Sequence, residues 1–316
     1  MNIKNLRILI LFLTYGDTYK GSLEAFIDEY CLPLKFQKRL IVIENADENM
    51  PVRQRNDWIY EIGGDNSVFE FSGWQKAIES EPAQNFKPDV YLFANSSMHS
   101  KLFHERPILN DKIISYIYNH NLFAGNIRKF TFPVMYKGLD LSTFITTQLF
   151  IIPKVLLKEL KNIVSEYRSE DFIKPTYSPD LFTGNVIWTE LFRKTIKIAL
   201  TDKYRHKKVE LSPENHAFFK RKTLCIINEF MLSGRTKKLN YQMVDITPFV
   251  NFCNSFFTIY LFDKRIRPFQ FIKKIILTSL NTFSKSIGLG DWFSKLCSTN
   301  VERHLLKEIR QYNKPV

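Results

Sequence analysis

Continuous apolar runs alternate with amphipathic segments in the first part of the chain. Arg7 to Leu13 is a run of Ile, Leu and Phe that ends at polar turn residues, and Arg39 to Ile43 is a second such run. Both patterns are typical of strands that are buried on both faces of a sheet. Ser22 to Tyr30, between them, carries its apolar residues at helical spacing and therefore predicts a helix.

The alternation continues through two more strands. Trp58 to Ile62 predicts a short strand that Gly63 and Gly64 end, Phe69 to Ile78 predicts a helix, and Val90 to Ala94 predicts a fourth strand. A chain that alternates strand and helix in this way predicts an α/β fold, with a mostly parallel sheet flanked by helices.

Beyond Ala94 the pattern is less regular. It predicts, in chain order, a helix at Asp111 to Asn119, a strand at Phe130 to Met135, an apolar stretch at Phe144 to Ile152, a helix from Pro153 to Tyr167, a loop at Glu170 to Pro179 and a helix at Leu181 to Leu200. Clusters of basic residues follow between Thr201 and Pro248.

Each of the first four predicted strands is followed by polar residues. In chain order these groups are Thr14-Tyr15-Gly16-Asp17, Glu44-Asn45-Ala46-Asp47, Gly63-Gly64-Asp65-Asn66 and Asn95-Ser96-Ser97. The carboxyl ends of parallel strands meet at one edge of a sheet, so we expect these groups to line a polar cleft. Glu44 and Asp65 could accept hydrogen bonds from a base or ribose, and the paired glycines would let the backbone approach a ligand closely. Each group alone is equally well explained as a turn, but four in register favour a nucleotide site.

These segments resemble a known family. The order of elements over residues 7 to 100 is similar to the donor-binding half of family 2-like glycosyltransferases, which have the GT-A fold. Ile41 to Asp47 resembles their second strand with its acidic turn, and DVYLFANSS at 89 to 97 occupies the place of their strand and Asp-x-Asp motif. The stretch from Asp65 to Gln75 is similar to a motif in glycosyltransferases of surface-polysaccharide and rhamnan synthesis.

The resemblance implies a GT-A-like, Rossmann-type domain that binds a nucleotide-activated sugar and transfers the sugar to an acceptor. The donor site that it implies consists of Thr14, Tyr15, Gly16, Glu44, Asn45, Gly64, Asp65, Asn66, Trp74, Asn95, Ser96 and Ser97.

The sequence departs from the family where a metal ligand is expected. Asn95-Ser96-Ser97 has no carboxylate to hold Mg²⁺ or Mn²⁺ against the donor diphosphate. Either the cation is held elsewhere, or basic side chains stabilise the leaving diphosphate. We predict weak or absent metal dependence, and the basic candidates are Arg193, Arg205, Lys207 and Lys208.

The resemblance also suggests the catalytic base. LFTGNVIWTELFR, from Leu181 to Arg193, is similar to the region that carries an acidic base before an amphipathic helix, and Glu190 falls at the acidic position. An inverting transfer needs a carboxylate to remove the proton of the acceptor hydroxyl. Asp180 is the second candidate. The alternative for either residue is a solvated carboxylate close to Arg193 or Lys194.

The positive charge of the chain is concentrated at its C-terminal end. Residues 1 to 200 hold 24 Lys and Arg against 23 Asp and Glu, whereas residues 201 to 316 hold 21 against 9. Phe256 to Phe262 is apolar and aromatic, and Pro268 opens a segment with an apolar helical face beside lysines. No run is long enough to span a bilayer, so the tail predicts basic amphipathic helices that lie on an anionic membrane surface. An ordinary docking helix is the alternative for this segment.

We therefore predict three regions: a GT-A-like catalytic domain at 1–200, a basic acceptor-side or lid region at 201–250, and membrane-associating helices at 251–316. The predicted protein is a cytoplasmic enzyme on the inner membrane face that adds a sugar to a membrane-linked glycan of the lipopolysaccharide, O-antigen or capsule type. The four dispersed cysteines fit a reducing compartment. The alternatives are a nucleic-acid-binding protein, which the basic tail allows but no recognisable motif supports, and a non-catalytic homologue that binds a sugar nucleotide.

Overall fold

The computed structural model describes residues 5–16, 19–99, 109–185, 187–201 and 210–246. The chain divides into two compact units, residues 1–245 and 246–316. The predicted membrane-associating helices at 251–316 lie outside the described residues, as do Arg205, Lys207 and Lys208. The architecture is therefore that of the first unit.

The first unit is built on a mixed sheet. Its strands and those of a small hairpin are β1 (Arg7–Thr14), β2 (Gln37–Glu44), β3 (Arg53–Gln54), β4 (Ile59–Gly63), β5 (Val90–Asn95), β6 (Phe123–Lys129), β7 (Met135–Tyr136), β8 (Leu139–Asp140), β9 (Thr143–Pro153) and β10 (Met243–Asp245). Among the described residues the sheet has eight strands in the order β10-β6-β9-β5-β1-β2-β4-β3, and β7 pairs with β8 separately.

The helices fill the connections between these strands. They are α1 (Ser22–Phe26), α2 (Glu70–Glu79), α3 (Glu81–Phe86), α4 (Asp111–Asn119), α5 (Lys154–Leu160), α6 (Glu190–Thr201) and α7 (His216–Lys238). A π-helical turn continues α1 from Ile27 to Cys31.

The strand β1 lies in the middle of the sheet, where a continuous apolar run can be buried on both faces. It pairs in parallel with β2 on one side and with β5 on the other. The side chains from Ile8 to Phe12 are fully buried, and truncation of such a side chain to Ala typically costs about 2–5 kcal/mol. With β4 parallel to β2, the carboxyl ends of β1, β2, β4 and β5 meet at one edge, which we call the rim.

The strand β9 runs against this direction. It is antiparallel to β5 on one side and to β6 on the other, and the pairing with β6 shifts register between Gly125 and Ile127. Because β9 is antiparallel, its N-terminal half lies at the rim, opposite the end of β5. Such irregularities often re-aim side chains close to active sites.

The core on one face of the sheet is aromatic. Trp74 of α2 makes edge contacts with Phe71, Phe93 and Phe150, with ring centroids 5.3–5.9 Å apart. Phe93 and Phe150 stack on each other at 4.5 Å across the β5–β9 pair. α7 packs on β9 and contacts α2, so these two helices bring distant parts of the chain to the same side of the rim.

The predicted fold class is confirmed: a mostly parallel sheet is flanked by helices. Three predicted elements were wrong. The strand expected at Phe130 to Met135 lies earlier, at β6, which ends at Lys129. The apolar character of the predicted segment has another cause: Phe130 packs on Phe132 and joins an aromatic cluster with Phe144 and Phe230.

The two other errors concern helices. The helix expected to reach Tyr167 ends at Leu160, where Lys161 takes a positive φ of 62°. The helix expected from Leu181 begins only at Glu190, because the preceding segment is held by side-chain to backbone bonds such as that from Trp188 Nε1 to the Phe172 carbonyl. The long helix α7 was not predicted at all.

Within the residues that the structure describes, no helix combines the length and the apolar character needed to cross a membrane.

Candidate functional site

The Glu44 carboxylate ties the ends of β1 and β2 together. Its Oε1 accepts hydrogen bonds from the backbone N–H groups of Gly16 at 2.8 Å and Ala46 at 2.9 Å. Its Oε2 accepts from the Thr14 hydroxyl at 3.0 Å. Both oxygens are thus engaged by the protein, and Glu44 shapes the rim in addition to any contact with a ligand.

Asn45 performs the same task between β2 and the loop after β4. Its Oδ1 accepts from the Asn66 backbone N–H at 3.2 Å, while Nδ2 donates to Asn66 Oδ1 at 3.0 Å and to the Phe69 carbonyl at 3.2 Å. Only 1% of its surface is exposed. We call Thr14, Gly16, Glu44, Asn45 and Asn66 the Asn45 network.

The glycines beside this network make room for it. A Cβ atom on Gly64 would lie 2.1 Å from Asn45 Oδ1 and 2.8 Å from Asn45 Cα, and one on Gly63 would lie 2.4 Å from the Asp47 carbonyl oxygen. The close approach that the structure shows is to the end of β2, and the approach of a ligand to these glycines stays a prediction.

Two predicted residues present free surface at the rim. Tyr15 is 45% exposed, and its hydroxyl accepts a hydrogen bond of 3.4 Å from Asn66 Nδ2. Asp65 is exposed, and one carboxylate oxygen accepts from the Ser67 backbone N–H at 3.0 Å. An aromatic ring and a carboxylate are therefore accessible on the same loops that the Asn45 network holds in place.

The Asn95 side chain is turned inward. Its Oδ1 accepts from the backbone N–H of Ser97 at 3.1 Å and from the Ser97 hydroxyl at 2.5 Å, while Nδ2 donates to the Thr147 carbonyl at 3.2 Å. Ser96 is also buried. A neutral amide already engaged in this way is a poor ligand for a divalent cation. Among the described residues, no three His, Cys, Asp or Glu side chains converge as a metal site would require.

The Trp74 side chain offers no accessible surface to a ligand, contrary to its predicted place in the donor site. The ring is fully buried among Phe71, Phe93 and Phe150. Because no part of it is accessible, its role is packing, and its helical spacing from Phe71 and Ile78 is the pattern of a core face.

A second polar group lies on the other side of the rim and was missed by sequence reasoning. The Thr147 hydroxyl of β9 lies 3.2 Å from Glu70 Oε1 of α2 and 3.4 Å from Glu229 Oε2 of α7. A hydroxyl has one proton, so it donates to only one of the two carboxylates at a time. Burial raises the pKa of the neighbouring Cys225 thiol well above its usual value, and the nearby Glu70 raises it further.

We call Glu70, Thr147, Cys225 and Glu229 the Thr147 cluster. It lies next to Asn95, since Asn95 donates to the Thr147 carbonyl. The group could accept hydrogen bonds from a hydroxyl-bearing ligand. The signal that could have found it is the polar run from Thr146 to Gln148 inside β9, but no local pattern links it to α7.

Phe69 joins the two sides of the rim. It has φ 48° and ψ −127°, a conformation that costs a non-glycine residue about 1–3 kcal/mol. Its carbonyl accepts hydrogen bonds from Asn45 Nδ2 and from the Ser72 hydroxyl, both at 3.2 Å. Strain that is held in this way by surrounding bonds is a feature of functional loops.

The two predicted catalytic carboxylates lie on a different segment. Asp180 pairs with Lys174 at 3.2 Å and with Arg193 at 3.6 Å, and its side chain is 56% exposed. Glu190 opens α6 and is exposed. No hydrogen bond or ion pair joins either carboxylate to the rim within the described part of the chain. Arg193 is engaged by Asp180 and by the carbonyls of Trp188 and Thr183.

Comparisons with known proteins place the chain only loosely. No protein-family model and no curated protein sequence matches it. Among solved structures, a mannosyltransferase from Pyrobaculum calidifontis in complex with GDP-Man and Mn²⁺ is similar over 90% of this chain and 88% of its own, with 8% sequence identity. The TM-score of 0.33 is too low to support an argument about fold or function.

Proposed function

We propose that this protein is a GT-A-like glycosyltransferase that binds a nucleotide-activated sugar at the rim and transfers the sugar to an acceptor. The observation that supports the proposal is the convergence of four strand ends at one rim, where the Asn45 network holds the loops that carry the exposed Tyr15 and Asp65. Open α/β sheets bind ligands at this edge.

In this proposal the rim residues have different roles. Asp65 accepts hydrogen bonds from the base or ribose of the donor, while Tyr15 offers a flat surface for it. Glu44, Asn45, Gly64 and Asn66 fix the loops, which lowers the cost of ordering them on binding. Glu190 removes the proton of the acceptor hydroxyl in an inverting transfer, and Asp180 is the second candidate.

The acceptor in this proposal is a membrane-linked glycan of the lipopolysaccharide, O-antigen or capsule type, reached by a peripheral protein on an anionic, cytoplasmic membrane face. The support is the basic charge of residues 201–316 and the aromatic, amphipathic pattern within 251–316. Removing residues 251–316 should move the protein from the membrane to the soluble fraction. Equal partition of the truncated and full-length chains would contradict the membrane part alone.

Ligand-dependent thermal stability tests the donor site. A panel of sugar nucleotides should include one that stabilises the protein, since a ligand at a hundred times its Kd adds about 2.7 kcal/mol. Stabilisation by nucleic acid alone would favour a nucleic-acid-binding protein instead. Binding without any transfer would favour the non-catalytic homologue.

Chelation tests the predicted weak metal dependence. We expect transfer to persist in excess EDTA, because Asn95-Ser96-Ser97 supplies no carboxylate and the Asn95 amide is already engaged. Complete loss of transfer, restored by Mg²⁺ or Mn²⁺, would show that a cation is held by other residues.

A further inference from the structure

Two basic side chains of α7 converge on one aromatic ring at the rim. The Arg221 guanidinium carbon lies 5.7 Å from the centre of the Phe69 ring, and Lys222 Nζ lies 5.2 Å from it. The Phe218 ring meets the same ring edge-on at 6.0 Å. Phe69 and Phe218 are partly buried and Arg221 is exposed, so a ligand can reach this group.

The position of the ring is fixed relative to the rim. Asn45 and Ser72 both bond to the Phe69 carbonyl, and the neighbouring Glu70 contacts Thr147 beside Asn95. The ring that the two cations contact is thus joined through its backbone to the Asn45 network, and the next residue of the chain belongs to the Thr147 cluster.

The charges at this place suit phosphate. Arginine binds phosphate oxygens through two parallel N–H donors, and lysine adds a compact positive charge. Asn95-Ser96-Ser97 contributes no charge to the same part of the rim. The acidic neighbours are Glu70 and Glu229, whose carboxylates contact the Thr147 hydroxyl.

We propose that Arg221 and Lys222, which both contact the Phe69 ring, bind the diphosphate of the nucleotide ligand. This inference rests on the proposed function and deepens it. It names basic residues other than those expected from sequence: Arg193 lies beside Asp180 on a different segment, and Arg205, Lys207 and Lys208 lie outside the described residues.

The test measures the binding of UDP, GDP, uridine, guanosine and inorganic pyrophosphate by calorimetry. The wild type is compared with Arg221→Gln/Lys222→Gln. A matched control, Lys158→Gln/Lys238→Gln, removes two exposed positive charges from α5 and α7 away from Phe69. Thermal unfolding of each variant establishes that it is folded. If the double variant does not fold, the single variant Arg221→Gln takes its place in the comparison.

We expect the double variant to lose about tenfold or more in affinity for the diphosphate that the wild type binds, because hydrogen bonds to charged groups contribute at least that much. Nucleoside binding should not change. The control should bind as the wild type does. Raising the salt concentration should reduce the difference in diphosphate affinity between the wild type and the double variant. Phe69→Leu should weaken diphosphate binding a few-fold, because it removes the aromatic ring that Arg221 and Lys222 contact.

The outcomes separate this inference from the proposed function. If the double variant binds UDP and GDP as the wild type does, the phosphate site is wrong although the nucleotide function stands. If the wild type binds only pyrophosphate and the double variant loses it, the phosphate site stands and the nucleotide function fails. If the wild type binds none of these probes, both are overturned.

Discussion

The Asn45 network and the Thr147 cluster lie on opposite sides of the same rim but are assembled differently. The Asn45 network joins loops that follow β1, β2 and β4, and nearly every polar atom in it bonds to backbone or to another member. The Thr147 cluster joins α2, β9 and α7, and it leaves two carboxylates competing for one hydroxyl proton. The first is a scaffold of bonds between loops, whereas the second places two carboxylates on one hydroxyl group.

This difference bears on how the rim works. Residues whose polar groups are satisfied within the protein mainly hold the loops, and their replacement should change stability. Carboxylates that share one donor, as in the Thr147 cluster, should instead affect binding or chemistry when they are replaced.

The largest effect concerns the proposed catalytic base, Glu190. Glu190→Gln should lower turnover about a hundred- to ten-thousand-fold while donor affinity stays near the wild-type value, because the amide cannot accept the proton of the acceptor hydroxyl. Initial rates and donor affinity must be measured together, with Asp180→Asn as the comparison.

The Thr147 cluster offers the alternative outcome. If Glu70→Gln or Glu229→Gln abolishes turnover while Glu190→Gln remains active, the base belongs to this cluster. Loss of donor binding together with turnover would instead indicate that the substitution damages the site as a whole.

The second effect concerns the Asn45 network as a scaffold. Gly64→Ala should destabilise the protein by about 3 kcal/mol, the upper end of typical overpacking costs, because the new Cβ would overlap Asn45. Urea unfolding measures this change. Gly184→Ala is the matched control, since a Cβ there meets nothing within 4 Å. Equal stabilities of the two variants would show that the loop after β4 yields easily.

The third effect concerns the shared hydroxyl. Thr147→Val keeps the shape of the side chain but leaves Glu70 and Glu229 without the donor between them. We expect a loss of about 1–2 kcal/mol in the free energy of unfolding. Thr147→Ser keeps the hydroxyl and should lose less. If Thr147→Val and Thr147→Ser have the same free energy of unfolding, the contacts to the two carboxylates contribute nothing to stability.

The smallest effect is a pH dependence at the ion pair between Lys220 and Glu170. The hydrogen bond from Lys220 lowers the pKa of Glu170 from 4.5 to about 2. Because the folded-state pKa is lowered, the stabilisation is complete above pH 4.5 and is lost as the pH falls from 4.5 towards 2.

The side chain of Glu170 is 53% exposed, so solvent screening keeps this contribution below about 1 kcal/mol. Denaturation of the wild type and Lys220→Gln across this pH range measures it. Their difference should vanish near pH 2, and a difference that persists there would have another cause.

The sequence predicted the parts of the molecule that depend on local pattern. The buried strands and the polar residues after them could be recognised because burial on both faces leaves a continuous apolar run. The same reasoning misplaced Trp74, since an aromatic residue in a motif-like segment gives the same signal whether it binds a ligand or fills the core.

The remainder depends on contacts between distant segments. Glu70, Thr147 and Glu229 are brought together only when α7 packs on β9, and α7 has no clear apolar stripe because both faces of much of the helix are buried. In the sequence, Arg221 and Lys222 could not be distinguished from the other basic residues of the C-terminal part. In the structure both contact the Phe69 ring. Charge counts show that cations are present but not which ring they contact.

The position of β9 has a consequence for how the protein is made. β9 pairs with both β5 and β6, yet it follows both in the chain, so β6 has no neighbour within the main sheet until β9 emerges from the ribosome. Until then the apolar β5 presents an unpaired edge, which is a template for association with other chains. A nascent chain that stops before Thr143 should therefore be a chaperone client, and translation through β9 should end that dependence.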